Sequence, residues 1–273
     1  MKIILNKFGF FLILVAVLFN ACSELDDEYQ QPISTGTTVH PAGFARDHSG
    51  PIKENNWDMD ECKKCHGSDY AGGVSMNSCN RCHRSTPESC TTCHGTRSVN
   101  AAPPRDVSGN TSPSVVTVGA HQAHLVGNSL SAGIQCSECH IVPRNYKDPG
   151  HIDNLNTIKV YFNSPLANTT TAGKVSATMT ANFINNGQNI ECANTYCHGN
   201  FTNGNNYTPK WTSGSNEIAC GSCHSLAPKL PHPQVIYCFA CHEEVVDIEM
   251  NIIDKSKHIN GKLEVYGNSI TEW

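Results

Sequence analysis

Seven times along this chain a pair of cysteines is closed by a histidine directly after the second. Six closures have the form C-x-x-C-H: Cys62/Cys65/His66, Cys79/Cys82/His83, Cys90/Cys93/His94, Cys136/Cys139/His140, Cys220/Cys223/His224 and Cys238/Cys241/His242. The seventh, C-A-N-T-Y-C-H, holds Cys192 and Cys197 farther apart and ends in His198. Two thiols at such spacing can add across the two vinyl groups of one porphyrin, while the adjacent imidazole reaches the iron as proximal ligand. Seven such motifs imply seven covalent c-type haems, with His66, His83, His94, His140, His198, His224 and His242 proximal. The longer spacer after Cys192 must loop out if both thioethers form on one face, so a singly attached or absent haem stays open there.

Paired cysteines also build zinc ribbons, and an even cysteine set in an exported chain usually means disulfides. Neither requires histidine after the second cysteine. At a background of about one in twenty to forty, seven histidines in seven such places have a chance below about one in a billion. Composition then constrains the fold. Hydrophobic residues are 38% of the chain, below the roughly 45–50% of ordinary domains, a range that also counts glycine. Porphyrins would supply the missing apolar surface, and without them the chain is expected to be largely unfolded, as small metal domains are. The expected fold class is therefore a mostly irregular, loop-rich multihaem cytochrome c wrapped around a haem array, with few short helices and a small β hairpin or sheet.

The fifteenth cysteine, Cys22, lies outside the motifs. It follows a basic start, an apolar run from Phe8 to Phe19 that is too short to span a bilayer, and small Ala21. Leu18-Phe-Asn-Ala-Cys22 resembles a lipoprotein box, although Phe19 and Asn20 depart from its commonest form. Residues 1–21 read as a signal peptide, and Cys22 as the lipidated first residue of an exported chain anchored to the outer membrane. Ordinary cleavage nearby, with Cys22 a free thiol, is the alternative. Loss of Lys2 and Lys7 leaves 17 basic residues against 24 acidic ones, or −7. That balance argues against nucleic acid as a partner and for docking to cationic surfaces or oxidised metal cations.

Residues 22–39 read as an acidic tether, 40–96 as a three-haem cluster, 97–114 as a linker, 115–191 as a one-haem segment with a β-hairpin insertion, and 192–273 as a second three-haem cluster. Only 12 residues separate His66 from Cys79 and six separate His83 from Cys90, so neighbouring porphyrins are forced close. Thr157–Phe162 alternates apolar and polar residues and Val175–Phe183 is rich in Thr and small side chains, so both read as strands of the hairpin. Short helices are expected at Ala120–Leu125 and Tyr237–Ile248.

Fourteen histidines less the seven proximal ones leave His40, His48, His121, His124, His151, His232 and His258. One spare per motif is what six-coordinate bis-histidine iron requires, so all seven are candidate distal ligands. His121 and His124, at i and i+3 on one helical face, could serve two different haems. His151-Ile-Asp after the fourth motif and His258-Ile-Asn after the seventh form a weak repeat of distal ligands returning after a loop. Met59, Met76, Met179 and Met250 are then structural or exposed.

In order, Gly119-Ala-His-Gln-Ala-His-Leu125, Cys136-Ser-Glu-Cys-His-Ile-Val-Pro143, His151-Ile-Asp, the C-x-x-x-x-C-H of Cys192 to His198, Trp211, and Cys220-Gly-Ser-Cys-His224 resemble the multihaem cytochromes with a combined C-x-x-x-x-C-H and C-x-x-C-H domain, found in metal-reducing and other electron-exporting bacteria. Cys65-His-Gly-Ser-Asp-Tyr-Ala-Gly-Gly73 and His258-Ile-Asn-Gly261 extend the similarity over about His40 to Val265. The resemblance implies extracytoplasmic electron transfer, with a redox protein donor and acceptor, other multihaem cytochromes or an outer-membrane conduit, or an extracellular metal acceptor as partners. A carrier rather than an enzyme is expected, because the matched histidine count closes every iron and no C-x-x-C-K is present. The alternative is a reductase of nitrite, hydroxylamine or sulfite with one open iron, and a subunit of a polymerised cytochrome wire would use the same chemistry as the carrier.

Overall fold

The computed structural model describes residues 39–83, 85–96, 105–152, 159–162, 164–168, 180–187, 190–214, 217–227 and 229–270. The chain divides into two units, residues 1–53 and 54–273. In the first, the described residues carry α1 (Phe44–Asp47) and most of α2 (Ser49–Glu54). The His40 ring stacks on Phe44 at 4.1 Å, and His48 Nδ1–H donates to Ala45 O at 3.0 Å.

The second unit is loop for most of its length, punctuated by single turns of helix at the cysteine motifs. Helix α3 (Asp60–His66) contains Cys62, Cys65 and His66, and α4 (Cys90–Cys93) contains the third cysteine pair. One 3₁₀ turn begins on each of Cys79, Cys136 and Cys238. Helix α5 (His121–Leu125) forms where the histidine pair predicts it. Two antiparallel hairpins complete the regular structure: β1 (Asn182–Asn185) with β2 (Ile190–Ala193), and β3 (Leu263–Val265) with β4 (Asn268–Ile270).

Two expectations are corrected by these elements. The hairpin does not use 157–162 as a strand: residues 159–162 are irregular, 157 and 158 lie outside the described residues, and β1 pairs instead with the strand bearing Cys192. Residues 159–161 lie along the fourth motif, with Tyr161 N–H donating to Cys139 O at 2.7 Å. Tyr237–Ile248 is not a helix beyond its first 3₁₀ turn. The Val245 and Val246 amides both donate to His242 O, and Asp247 then closes a turn by accepting from Asn251 N through its side chain at 2.8 Å. That turn brings Val246 and Ile252 into an isolated bridge. An aspartate that offers the backbone a competing acceptor ends a helix this short.

Among the described residues only Met59, Tyr70, Val118, Ala167, Ile190, Tyr196 and Val246 form the buried apolar core. Several large apolar side chains beside the motifs stay exposed, including Ile141, Val142, Leu226, Ile236 and Tyr237. Apolar surface left out of a protein core and gathered at particular places marks where another apolar body packs. Of the four methionines expected to be structural or exposed, Met59 is buried, Met250 half-buried and Met76 exposed; Met179 lies outside the described residues.

Candidate haem centres

The C-x-x-C-H spacing produces its own local structure. In four motifs the histidine amide donates to the carbonyl of the first cysteine: His83 to Cys79 at 3.0 Å, His94 to Cys90 at 2.8 Å, His140 to Cys136 at 2.9 Å and His242 to Cys238 at 2.9 Å. Residues at i, i+3 and i+4 of one turn share a face, so both sulfurs and the imidazole project the same way. None of the fourteen motif cysteines is in a disulfide.

Cys82, Cys139 and Cys241 each follow the 3₁₀ turn of their own motif and cap it, their amides donating to Cys79 O at 3.0 Å, Cys136 O at 3.2 Å and Cys238 O at 3.2 Å. Cys65, Cys82, Cys90, Cys136 and Cys220 are exposed. Cys241 has taken a protein partner: its Sγ lies 3.0 Å from the Tyr266 hydroxyl, and the Tyr266 amide donates to Cys241 O at 2.9 Å. Tyr266 is placed there by the tight turn between β3 and β4, where its φ is 48°. That contact follows from the return of the C-terminal hairpin over the last motif. A thioether sulfur has lost its proton but still accepts weakly, so Tyr266 would have to be the donor once Cys241 were bonded to a porphyrin.

The stretched motif, fifth in chain order, reaches a comparable end by a different route. Cys192 sits in β2, and the strand breaks at Asn194, whose φ of 58° is left-handed. Asn194 is held by Asn200 and Asn206, which donate to its main-chain and side-chain oxygens at 2.8 and 3.0 Å. Cys197 and His198 then fall in a 3₁₀ turn, Tyr196–His198. The extra residues are taken up in this asparagine-braced corner, so the spacer does loop out. Burial pushes the Cys192 and Cys197 thiols each up to about 12 and the Cys139 thiol up to about 11.

Spare histidines meet motif histidines ring to ring. His151 faces His94 with centroids 6.0 Å apart, His121 faces His140 at 6.2 Å, His124 faces His198 at 6.0 Å and His232 faces His242 at 6.3 Å. A ligating imidazole nitrogen lies about 2 Å from its metal and about 1 Å from its own ring centre, so two imidazoles on opposite sides of one ion have centres about 6 Å apart. The observed separations match. His258 lies within electrostatic reach of His224. His121 and His124, neighbours on α5, thus face two different motifs.

Backbone carbonyls orient these rings. Nδ1–H donates to Val118 O from His121 (2.7 Å), to Ala120 O from His124 (2.9 Å), to Lys159 O from His140 (2.7 Å) and to Tyr146 O from His151 (2.6 Å). His242 and His258 do the same toward Glu264 O (2.5 Å) and Leu130 O (2.6 Å). An imidazole whose Nδ1 carries the proton keeps Nε2 as a free lone pair, and such a bond is the usual support of a metal-ligating histidine. Burial depresses His94, His121 and His198, the last two to about 4, so these three are neutral and ligand-competent at pH 7. The donor set, its spacing and its orientation fit haem.

The elements that bring the pairs together are long-range. Lys63 on α3 donates to Glu88 at 2.7 Å and lies over the rings of Tyr70 and Tyr146 at 5.4 and 5.9 Å. Lys147 pairs with Asp58 at 2.7 Å and with Asp60. This junction fastens the loop carrying Tyr146 and His151 against the first cluster and so sets His151 before His94. Nothing in the spacing of these charges marks them as partners. The fifth and sixth motif regions in chain order touch through backbone: Asn205 N–H donates to Cys223 O at 2.8 Å and Tyr207 N–H to His198 O at 2.8 Å.

With this geometry in view, residues 191–224 match the family described as the Geobacter CxxxxCH...CXXCH motif. The CxxxxCH...CXXCH segment supplies two of the seven motifs, and with the other five the chain has the haem-binding make-up of a multihaem c-type cytochrome. No curated protein and no solved structure matches the chain.

Gly199, directly after His198, has a φ of 93°, and a Cβ there would run into the carbonyl oxygen of Cys223. Gly199→Ala is expected to cost at least about 2 kcal/mol from left-handed strain and overpacking, lowering the Tm of the holoprotein by roughly 4–8 °C. Differential scanning calorimetry of the two proteins measures it.

Proposed function

We propose that this chain is a seven-haem electron carrier, exported and tethered to the outer membrane through lipidated Cys22, which takes electrons from one redox protein and delivers them to another or to an extracellular acceptor. The observation that carries the reading is the set of motif histidines facing a second histidine at 6.0–6.3 Å. Haem held there would supply reversible one-electron chemistry at iron. The protein's part would be to hold it between paired imidazoles, most of them oriented through Nδ1 by backbone carbonyls, so that ligands do not exchange and reorganisation stays small.

Proximity between neighbouring motifs supports transfer along the chain. Cys62 and Cys79 are electrostatic neighbours, as are His94 and His140, Cys139 with both Cys192 and Cys197, and Cys197 with Cys223. Cys238 Sγ approaches Leu226 O at 3.8 Å, linking the last two motifs. Cys22 and the residues before it lie outside the described residues, and the reading of the anchor rests on the sequence alone.

Electron paramagnetic resonance of the fully oxidised protein, combined with turnover assays, tests the carrier reading. Only low-spin signals and unselective reduction of soluble ferric chelates are expected, because transfer at an exposed edge needs proximity and not a shaped pocket. A high-spin signal with saturable turnover of nitrite, hydroxylamine or sulfite, far faster than with generic acceptors, would establish a reductase instead. Separately, Cys22→Ala is expected to move the holoprotein from the membrane to the soluble fraction with an unchanged visible spectrum, as read by fractionation and haem staining. Retention in the membrane would remove the lipid anchor.

A further inference from the structure

Trp211 is wedged against two spare histidines that face different motifs. Its indole meets the His121 ring edge-on at 4.7 Å and 86°, and the His124 ring at 5.6 Å and 34°. His121 in turn faces His140 with planes 21° apart, whereas His124 faces His198 at 74°. One side chain therefore touches an imidazole of a near-parallel pair and an imidazole of a near-perpendicular pair.

The tryptophan is itself held at both ends. Indole Nε1–H donates to Val116 O at 2.7 Å, and the Trp211 amide donates to Ile190 O at 2.7 Å on β2, the strand that carries Cys192. Room for the indole comes from Gly119, which has a φ of 45° and whose position would place any Cβ inside the Trp211 ring. The histidines lack this support on their own. Helix α5 spans five residues, too few for a stable isolated helix, and each ring has one Nδ1–H bond to a carbonyl three or four residues back. A single bond anchors one atom of a ring and leaves its plane free to rock, and a rigid aromatic surface removes that freedom.

We propose that Trp211 is a positioning residue that holds the ring planes of His121 and His124 together and so sets the axial geometry of two haem sites at once. This inference rests on the bis-histidine reading above. The angle between axial imidazole planes governs the splitting of the iron d orbitals. Near-perpendicular planes give a strongly axial low-spin resonance and near-parallel planes a rhombic one. Because one indole braces both rings, a change at position 211 moves two sites together and leaves the others in place.

The test uses the holoprotein and its Trp211→Phe and Trp211→Ala variants, with haem content by intact mass, electron paramagnetic resonance of the oxidised state and potentiometric titration. In the wild type an axial signal accompanies rhombic ones; if it is missing, or if high-spin iron replaces it, the bis-histidine reading fails and the proposal fails with it. With that signal present, Trp211→Ala is expected to keep the haem content, to shift or broaden the axial signal and one rhombic signal, and to move two midpoint potentials. Trp211→Phe is expected to change the same two sites by less, and it carries the test if the alanine variant does not accumulate. Spectra and potentials identical to wild type in the variants would overturn the positioning role while leaving the bis-histidine reading intact. A uniform disturbance of every site in the phenylalanine variant would also overturn it, marking Trp211 as general packing.

Discussion

Residues 22–273 produced where haem cannot be attached are expected to behave as an expanded chain without a cooperative unfolding transition. Seven buried apolar side chains among the described residues are a thin core for so long a polypeptide, whose backbone ordering costs about 1–2 kcal/mol per residue. The single helical turns at the motifs cannot persist alone, since nucleation is unfavourable and short helices depend on tertiary packing. Exposed Ile141, Val142, Leu226, Ile236 and Tyr237 lie beside motif cysteines, where porphyrin faces would cover them. Small-angle scattering should give a radius of gyration nearer the roughly 55 Å of an unfolded chain of this length than the roughly 18 Å of a compact one. The haem-loaded protein should be compact and heavier than the polypeptide by seven haem masses. Six haems would single out Cys192/Cys197 as non-binding. A compact apoprotein with a sharp urea transition would show that the polypeptide has a sufficient core of its own.

His124→Met is expected to give the largest single displacement of a redox potential in this protein. The His124 ring stands 6.0 Å from that of His198, and a thioether in place of the second imidazole raises the potential of a haem iron. The rise should be an appreciable part of the roughly 0.8 V over which axial ligands tune haem. It should be confined to one site, with a smaller movement where His121 shares Trp211. Spectropotentiometry of the variant against the wild type measures this. A shift spread over all seven sites, or none, would remove His124 as a ligand.

How much of this was legible beforehand depends on how local the determining chemistry is. The motifs could be read directly, and the turns at Cys79, Cys136 and Cys238 place each cysteine pair and its histidine within one turn of backbone, as a shared porphyrin would require. The number of spare histidines was equally plain. The surroundings of individual thiols were not: Cys82 and Cys241 belong to identical spacings, yet one stands exposed and the other meets Tyr266, which is brought to it from 25 residues away. The strand at 157–162 was misread, since alternation of apolar and polar residues also suits an extended segment laid against a motif, as the Tyr161-to-Cys139 bond shows. The helix expected over Tyr237–Ile248 was misread because apolar spacing alone ignores the turn-forming side chain of Asp247. Trp211 carried a faint signal, being one of three tryptophans in a polar chain, but its contacts with His121 and His124 span about ninety residues.

Sequence by itself determined how many cysteine-histidine motifs there are and where they lie, and that the apolar residues are too few for an ordinary core. Only the tertiary structure decided which histidines face one another. His151 follows the fourth motif yet meets His94 of the third, and His258 follows the last motif yet lies near His224, while His242 faces His232. Each motif is contained within five to seven consecutive residues. The histidine that faces it is chosen by packing, through contacts such as Lys63 with Glu88 and Tyr146 that join segments far apart in the chain, and the spacing of histidines along the sequence carries no record of that choice.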